Sequence, residues 1–173
     1  MKTLKLAVAI LALGTLAISP KAEAKSLFKT QQTTPSKITA QVPRPQTENS
    51  SKAEAYLKQG LQRFESKDYQ GAIEQFNQVL NIEPNNIYAY VSRGTAKMLL
   101  EQFQSAKTDF DTALKITPDI AYAHYFRGFT NYALKDKPAA IADLRKASVL
   151  FQKDGNADLA QKADNAAKEI EAS

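Results

Sequence analysis

The chain has 173 residues, one histidine, no cysteine and a formal net charge of +5. The lack of cysteine excludes disulfides, and a single histidine cannot complete a zinc site of ordinary composition. The positive charge lies towards the N-terminus, because residues 53–173 hold 15 basic and 16 acidic residues. This balance argues against binding to a nucleic-acid backbone.

Residues 1–24 have the pattern of a secretory signal peptide. Two lysines precede an apolar run over 6–18, and Ala22-Glu23-Ala24 is a small-x-small cleavage pattern. We expect cleavage before Lys25 and export to a periplasm or an equivalent lumen, with secretion as another open destination. The apolar run is short for a membrane span, so no stable span is expected after cleavage. An uncleaved signal anchor is the alternative.

Residues 25–52 are predicted to form a disordered linker. The segment contains Pro35, Pro43 and Pro45 among many Gln, Thr, Ser and Lys residues. Because it has few large apolar side chains, burial cannot repay the entropy cost of ordering it.

A period of 34 residues runs through 53–154. Small residues and prolines recur at this interval, namely Gly60, Gly94 and Gly128, Ala72, Ala106 and Ala140, and Pro84 and Pro118. A period of this size indicates stacked copies of one supersecondary unit, none of which can bury its apolar face alone. The three units are 53–86, 87–120 and 121–154.

Each unit is predicted to hold two amphipathic helices. Ile73, Phe76 and Leu80 illustrate the helical spacing of apolar residues. Glycine and alanine fall where paired helices must approach closely, and the prolines fall just past the second helix of a unit. The predicted helices are 53–66, 69–82, 87–100, 103–116, 121–134 and 137–151.

The units resemble the tetratricopeptide repeat (TPR). This family expects an aromatic residue at the fourth position, which Tyr56 and Tyr90 provide and His124 replaces. The resemblance implies an all-α fold, an α-solenoid of three antiparallel helix pairs. His124 is interpreted as a structural ring in place of tyrosine.

Two positions of the unit change together, which predicts that they face each other between paired helices. Gln59 is matched by Gln75, whereas the next two units have arginine with aspartate, as Arg93 with Asp109 and Arg127 with Asp143. An Arg–Asp pair offers a charge-assisted, bidentate contact. We interpret it as a structural link and not as a catalytic pair.

Residues 155–173 are predicted to form a C-terminal capping helix over about 157–171. Its thin apolar stripe consists of Leu159, Ala163, Ala166 and Ile170, and charged side chains cover the remainder. A solenoid needs a terminal element with a polar outer face. A detachable contact arm is the alternative.

The TPR resemblance implies a concave groove lined by the first helix of each unit. Its partner-binding residues would be Leu57, Leu61, Tyr88, Val91, Thr95, Tyr122, Tyr125 and Phe129. Tyrosine and phenylalanine are common anchors of recognition surfaces. Some family members hold the C-terminal carboxylate of heat-shock chaperones with polar and basic residues. This chain has Leu57, Leu61, Ser92, Tyr122 and Phe126 at the matching places, so that partnership is not expected.

These observations predict an exported adaptor that holds a protein or peptide partner in an apolar, aromatic groove. The chain has no glycine-rich phosphate loop and no serine or cysteine triad, so neither a cofactor nor enzyme activity is expected. The alternative is a structural module that self-associates into a homo-oligomer through an edge repeat or the terminal helix.

Overall fold

The computed structural model describes residues 48–173, which form an all-α fold of seven helices. Their bounds are α1 Glu48–Glu65, α2 Tyr69–Ile82, α3 Ile87–Leu99, α4 Phe103–Ile116, α5 Ala121–Ala133, α6 Lys137–Lys153 and α7 Ala157–Ala172. Each helix packs against the helix that follows it, and α1, α3 and α5 also contact one another in succession. The arrangement is the predicted solenoid of helix pairs.

The first helix begins earlier than predicted. The linker was expected to extend to residue 52, but α1 starts at Glu48. The Lys52 ammonium lies 2.6 Å from the Glu48 carboxylate one helical turn away, a spacing that supports a helix, as does an acidic residue in its first turn. The predicted signal peptide and the rest of the linker lie outside the described residues.

Turns of one design join the two helices of each pair. Lys67, Glu101 and Lys135 have φ angles of 63°, 60° and 67°, and they lie 34 residues apart. A single left-handed residue ends the first helix and reverses the chain. The 34-residue period therefore extends to the backbone conformation of the turns.

The recurring glycines lie where the two helices of a pair approach closely, as predicted. A Cβ added to Gly60 would lie 2.6 Å from Phe76 Cε1, and one added to Gly94 would lie 2.8 Å from Phe110 Cε1. In the third pair the residue facing Gly128 is Leu144. Phe76, Phe110 and Leu144 are fully buried, so each pair is closed by a large side chain against a glycine.

Helix α7 packs against α6 as the predicted capping helix. It buries Leu159, Ala160, Ala163, Ala167 and Ile170, whereas Ala166 of the predicted stripe is only half-buried. The Ser148 hydroxyl of α6 donates to the Ala160 carbonyl at 2.9 Å. Along 48–173, no helix has the length and apolar character needed to cross a bilayer.

Candidate functional site

The predicted groove residues of the first two units form a half-buried, uncharged surface. Leu57 and Leu61 lie in α1, and Tyr88 and Thr95 lie in α3, and all four keep part of their surface accessible. We call these four residues the open end of the groove. Val91, predicted to lie beside them, is buried, at 5% exposed.

The predicted groove residues of the third unit are largely buried. Tyr122, Tyr125 and Phe129 are each 7% exposed. Phe151 of α6 packs edge-on against Tyr122, with ring centroids 4.9 Å apart, and Tyr125 packs edge-on against Phe129 at 4.8 Å. We call these three residues the closed end. They belong to the same apolar core that α7 completes, and a role for them in binding stays a prediction.

Two open cavities lie beside tyrosines at either end. One, of about 420 Å³, is lined by Tyr88 and by residues 83–87 of the turn into α3. The other, of about 410 Å³, is lined by Tyr122, Phe151 and residues 154–158 of the turn into α7. Burial raises the pKa of the Tyr88 hydroxyl, so this side chain is a neutral hydrogen-bonding group at physiological pH. Each cavity thus places space for a ligand group beside a tyrosine.

The predicted Arg–Asp pairs are confirmed. Arg93 donates to both carboxylate oxygens of Asp109, from Nε at 3.0 Å and from Nη2 at 2.6 Å. Arg127 contacts Asp143 in the same way, at 2.8 Å and 2.7 Å. These pairs are mostly buried between the helices of a unit and have the geometry of structural clamps. The corresponding contact of Gln59 with Gln75 stays a prediction.

Each of these arginines also reaches the preceding unit, which the sequence reasoning missed. Arg93 Nη1 donates to the side-chain oxygen of Asn77 at 2.6 Å, and Arg127 Nη1 donates to the Asp111 carboxylate at 2.7 Å. Asn77 and Asp111 are 34 residues apart, and this recurrence of an acceptor was the available signal. The arginine ladder therefore links each unit to the one before it.

The two clamped aspartates have different additional partners. Lys97 Nζ lies 2.8 Å from the Asp109 carboxylate. Asp143 instead contacts His124 Nδ1 at 2.8 Å and accepts from Asn131 Nδ2 at 3.0 Å. Burial opposes the charge on Asp143, but the hydrogen bonds from His124 and Arg127 outweigh it and lower the pKa of the Asp143 carboxyl.

Metal chemistry has no obvious support in the described part of the chain. Between residues 48 and 173, no group of three or more His, Cys, Asp and Glu side chains is arranged to hold a metal ion.

Comparison with protein families identifies the repeated unit. Residues 60–100 match a model described as a TPR repeat, and residues 87–120 match a tetratricopeptide repeat model. The chain contains tetratricopeptide repeats. Among curated proteins no match to the sequence was found.

Solved structures of other TPR domains have the same fold. The TPR2B domain of yeast Sti1, in a complex with pHsp70, matches 70% of this chain and 98% of its own, with a TM-score of 0.67 and 22% identity. The first TPR of Spaghetti (RPAP3), bound to the HSP90 peptide SRMEEVD, matches 72% of this chain and 96% of its own, with a TM-score of 0.64 and 23% identity. The TPR domain of Arabidopsis OM64 matches 68% and 98%, with a TM-score of 0.61 and 25% identity.

Proposed function

We propose that this chain is an exported TPR adaptor, which holds an apolar segment of a partner protein at the open end of its groove. The observation that carries the proposal is the half-buried, uncharged surface of Leu57, Leu61, Tyr88 and Thr95 beside an open cavity. We count 121–154 as a third TPR repeat, because α5 and α6 repeat the glycine contact and the arginine clamp of the preceding pair. No catalytic role is proposed.

The chemistry of the open end favours an apolar ligand over an acidic one. Two of the similar TPR domains are described with pHsp70 and with the HSP90 peptide SRMEEVD, which is acidic near its end. Here leucines lie at 57 and 61, and Tyr122 at a third matching place is largely buried. A carboxylate placed against these side chains would lose water without gaining a charged partner, which is costly.

Peptide selection on the full mature chain tests this ligand class. We expect a displayed random-peptide library to yield sequences rich in Leu, Ile and Phe that bind with or without a free C-terminal carboxylate. Tyr88→Ala weakens the selected peptide by about tenfold, the loss typical of a central aromatic anchor. Calorimetry measures both affinities.

A matched control is Val149→Ala. Val149 in α6 is 64% exposed and is not among the groove residues, so its removal leaves the affinity unchanged. Binding of SRMEEVD as tight as that of the selected peptide, or equal affinities of wild type and Tyr88→Ala, would contradict the proposal.

Export is tested by the mass of the mature protein. Expression in a bacterial host with a Sec system yields a periplasmic protein whose first residue is Lys25, because the Ala-x-Ala pattern ends at Ala24. Substitution of Ala24 by Asp blocks this cleavage. A cytoplasmic protein that retains Met1 would rule out export, and a membrane-held, uncleaved chain would favour the signal anchor.

Self-association is the competing function. The large apolar residues that are exposed within 48–173 are Leu100, Ile116 and Val149, and they lie in three different helical segments. Scattered single apolar residues do not make an interface. A concentration-independent monomer in light scattering would remove this alternative.

A further inference from the structure

His124 joins two structural elements through both of its ring nitrogens. Nδ1 lies 2.8 Å from the Asp143 carboxylate of α6, and Nε2 lies 2.9 Å from the backbone carbonyl of Pro118, in the turn before α5. The imidazole is 12% exposed and the Asp143 side chain 8%. The ring is therefore held in a nearly closed site between the third unit and the turn from the second.

Both contacts require the ring to donate. A carbonyl oxygen can only accept, and the lowered pKa of Asp143 keeps that carboxylate ionised and accepting at neutral pH. A neutral imidazole has one N–H and one lone pair, so it satisfies one of the two contacts and turns a lone pair towards the other oxygen. Only the imidazolium donates to both.

The second unit provides an internal comparison. There the position of His124 is occupied by Tyr90, whose ring lies 5.5 Å from the Arg93 guanidinium. The additional cation on the clamped Asp109 is Lys97, at 2.8 Å. In the third unit Asn131 takes the place of that lysine, so the additional cation comes from the ring of His124. A permanently charged partner is replaced by a titratable one.

The contact to Pro118 also compensates for a missing helix cap. The Asn86 and Asn156 side chains cap the starts of α3 and α7 by accepting from the backbone at Ala89 and Leu159. At the start of α5 the N-cap residue is Ile120, which makes no side-chain capping hydrogen bond. The His124–Pro118 hydrogen bond fastens this uncapped start to its turn.

We propose that His124 is a proton-dependent latch: the imidazolium holds the start of α5 to the Pro118 turn, and loss of its proton releases one of the two contacts. The proposal does not depend on the nature of the ligand in the groove. Because Tyr122 lies in the same first turn of α5, opening the latch loosens the closed end of the groove.

The charges around His124 have both signs. Asp143 of α6 and Asp119 of the turn favour the imidazolium, whereas Arg127 of α5 and the N-terminal end of the α5 dipole oppose it. Lys146 and Lys153 of α6 act on Asp119, which also interacts with His124, and Asp111 of α4 neutralises Arg127. The geometry places the closest anion, Asp143, in direct contact.

The pH dependence of stability tests the latch. Below the titration of His124 the folded state gains two contacts that the unfolded state lacks, so stability falls as the pH rises. We expect the melting temperature of the mature chain to fall by about 4 °C between pH 5.5 and pH 8. The chain has one histidine, and aspartates with lowered pKa stay ionised in this window, so the fall is assigned to His124.

The matched variant is His124→Tyr combined with Asn131→Lys, which gives the third unit the partners of the second. Its melting temperature should change by less than 1 °C over the same window, since lysine keeps its charge there. A wild type and a variant with equal pH slopes would overturn the latch.

Nitrogen NMR of the wild type covers the case in which the variant does not fold. The two ring nitrogens of the chain's only histidine are expected to show the shifts of a doubly protonated ring while the amides of 118–124 report the closed turn. On deprotonation, the amides of this segment should shift with the same midpoint. A neutral ring with the amides of 118–124 unchanged across the titration would overturn the proposal.

Discussion

Gly94 lacks a side chain at the point where α3 passes closest to Phe110 of α4. A Cβ built there would lie 2.8 Å from Cε1 of the ring, closer than real Cβ contacts, and Phe110 is fully buried and cannot swing into solvent. We expect Gly94→Ala to lower the free energy of unfolding by about 1–3 kcal/mol, the usual cost of overpacking a core. Urea unfolding of the mature chain measures it.

A second substitution shows whether the ring causes the loss. In the third unit Leu144 faces Gly128, so Phe110→Leu in the Gly94→Ala background should restore part of the stability by making room. Ser105→Ala, at an exposed position of α4, is the control for substitution alone. If Gly94→Ala is as stable as wild type, close approach is not what this glycine provides.

At the scale of elements, α7 contributes stability by covering the last helix pair. Ile170 is 2% exposed and belongs to the core cluster that contains Leu144 and Phe151 of α6. We expect Ile170→Ala to lower the free energy of unfolding by about 2–4 kcal/mol, because it removes buried methyl groups and leaves a cavity. Denaturant unfolding measures the loss, with Glu169→Ala on the exposed face as control.

The outcome also separates a docked cap from a detachable arm. A loss below about 0.5 kcal/mol, the range of surface substitutions, would mean that α7 leaves α6 easily and is free to contact a partner. A large loss with a single unfolding transition means that α7 unfolds with the solenoid.

The same scale shows why the helices could be predicted from the sequence. The 34-residue period, the apolar spacing and the prolines indicate the helix pairs, and the joint change of Arg with Asp indicates the clamps. The start of α1 could not be found in this way, because the composition of 48–52 favours a linker while its stability comes from a local Glu48–Lys52 pair and from packing further along the helix.

At the scale of the whole molecule, the groove was only partly predictable. The periodic positions identify which residues lie on the first helix of each unit, but they carry no information on how far neighbours cover them. Tyr122 and Tyr125 are covered because Phe151 of α6 packs against both rings, a contact that depends on three-dimensional packing. The contacts of Arg93 and Arg127 with the preceding unit were missed for the same reason.

The proposed function therefore depends on which part of this solenoid a ligand touches. Leu57, Leu61, Tyr88 and Thr95 lie on α1 and α3, close to the N-terminal end, while α7 adds polar, exposed side chains at the other end. An apolar segment gains most by covering the open end, where burial removes uncharged surface from water.

The most direct test is to map a bound ligand on the mature chain by NMR, with the tightest apolar peptide from the displayed library as the probe. We predict that peptide-induced amide shifts cluster at residues 57–64 and 88–98, and that Val149 and the exposed face of α7 stay unchanged. Shifts centred on α7 or on the outer face of α6, with residues 57–64 and 88–98 unaffected, would contradict a groove that binds its partner at the open end.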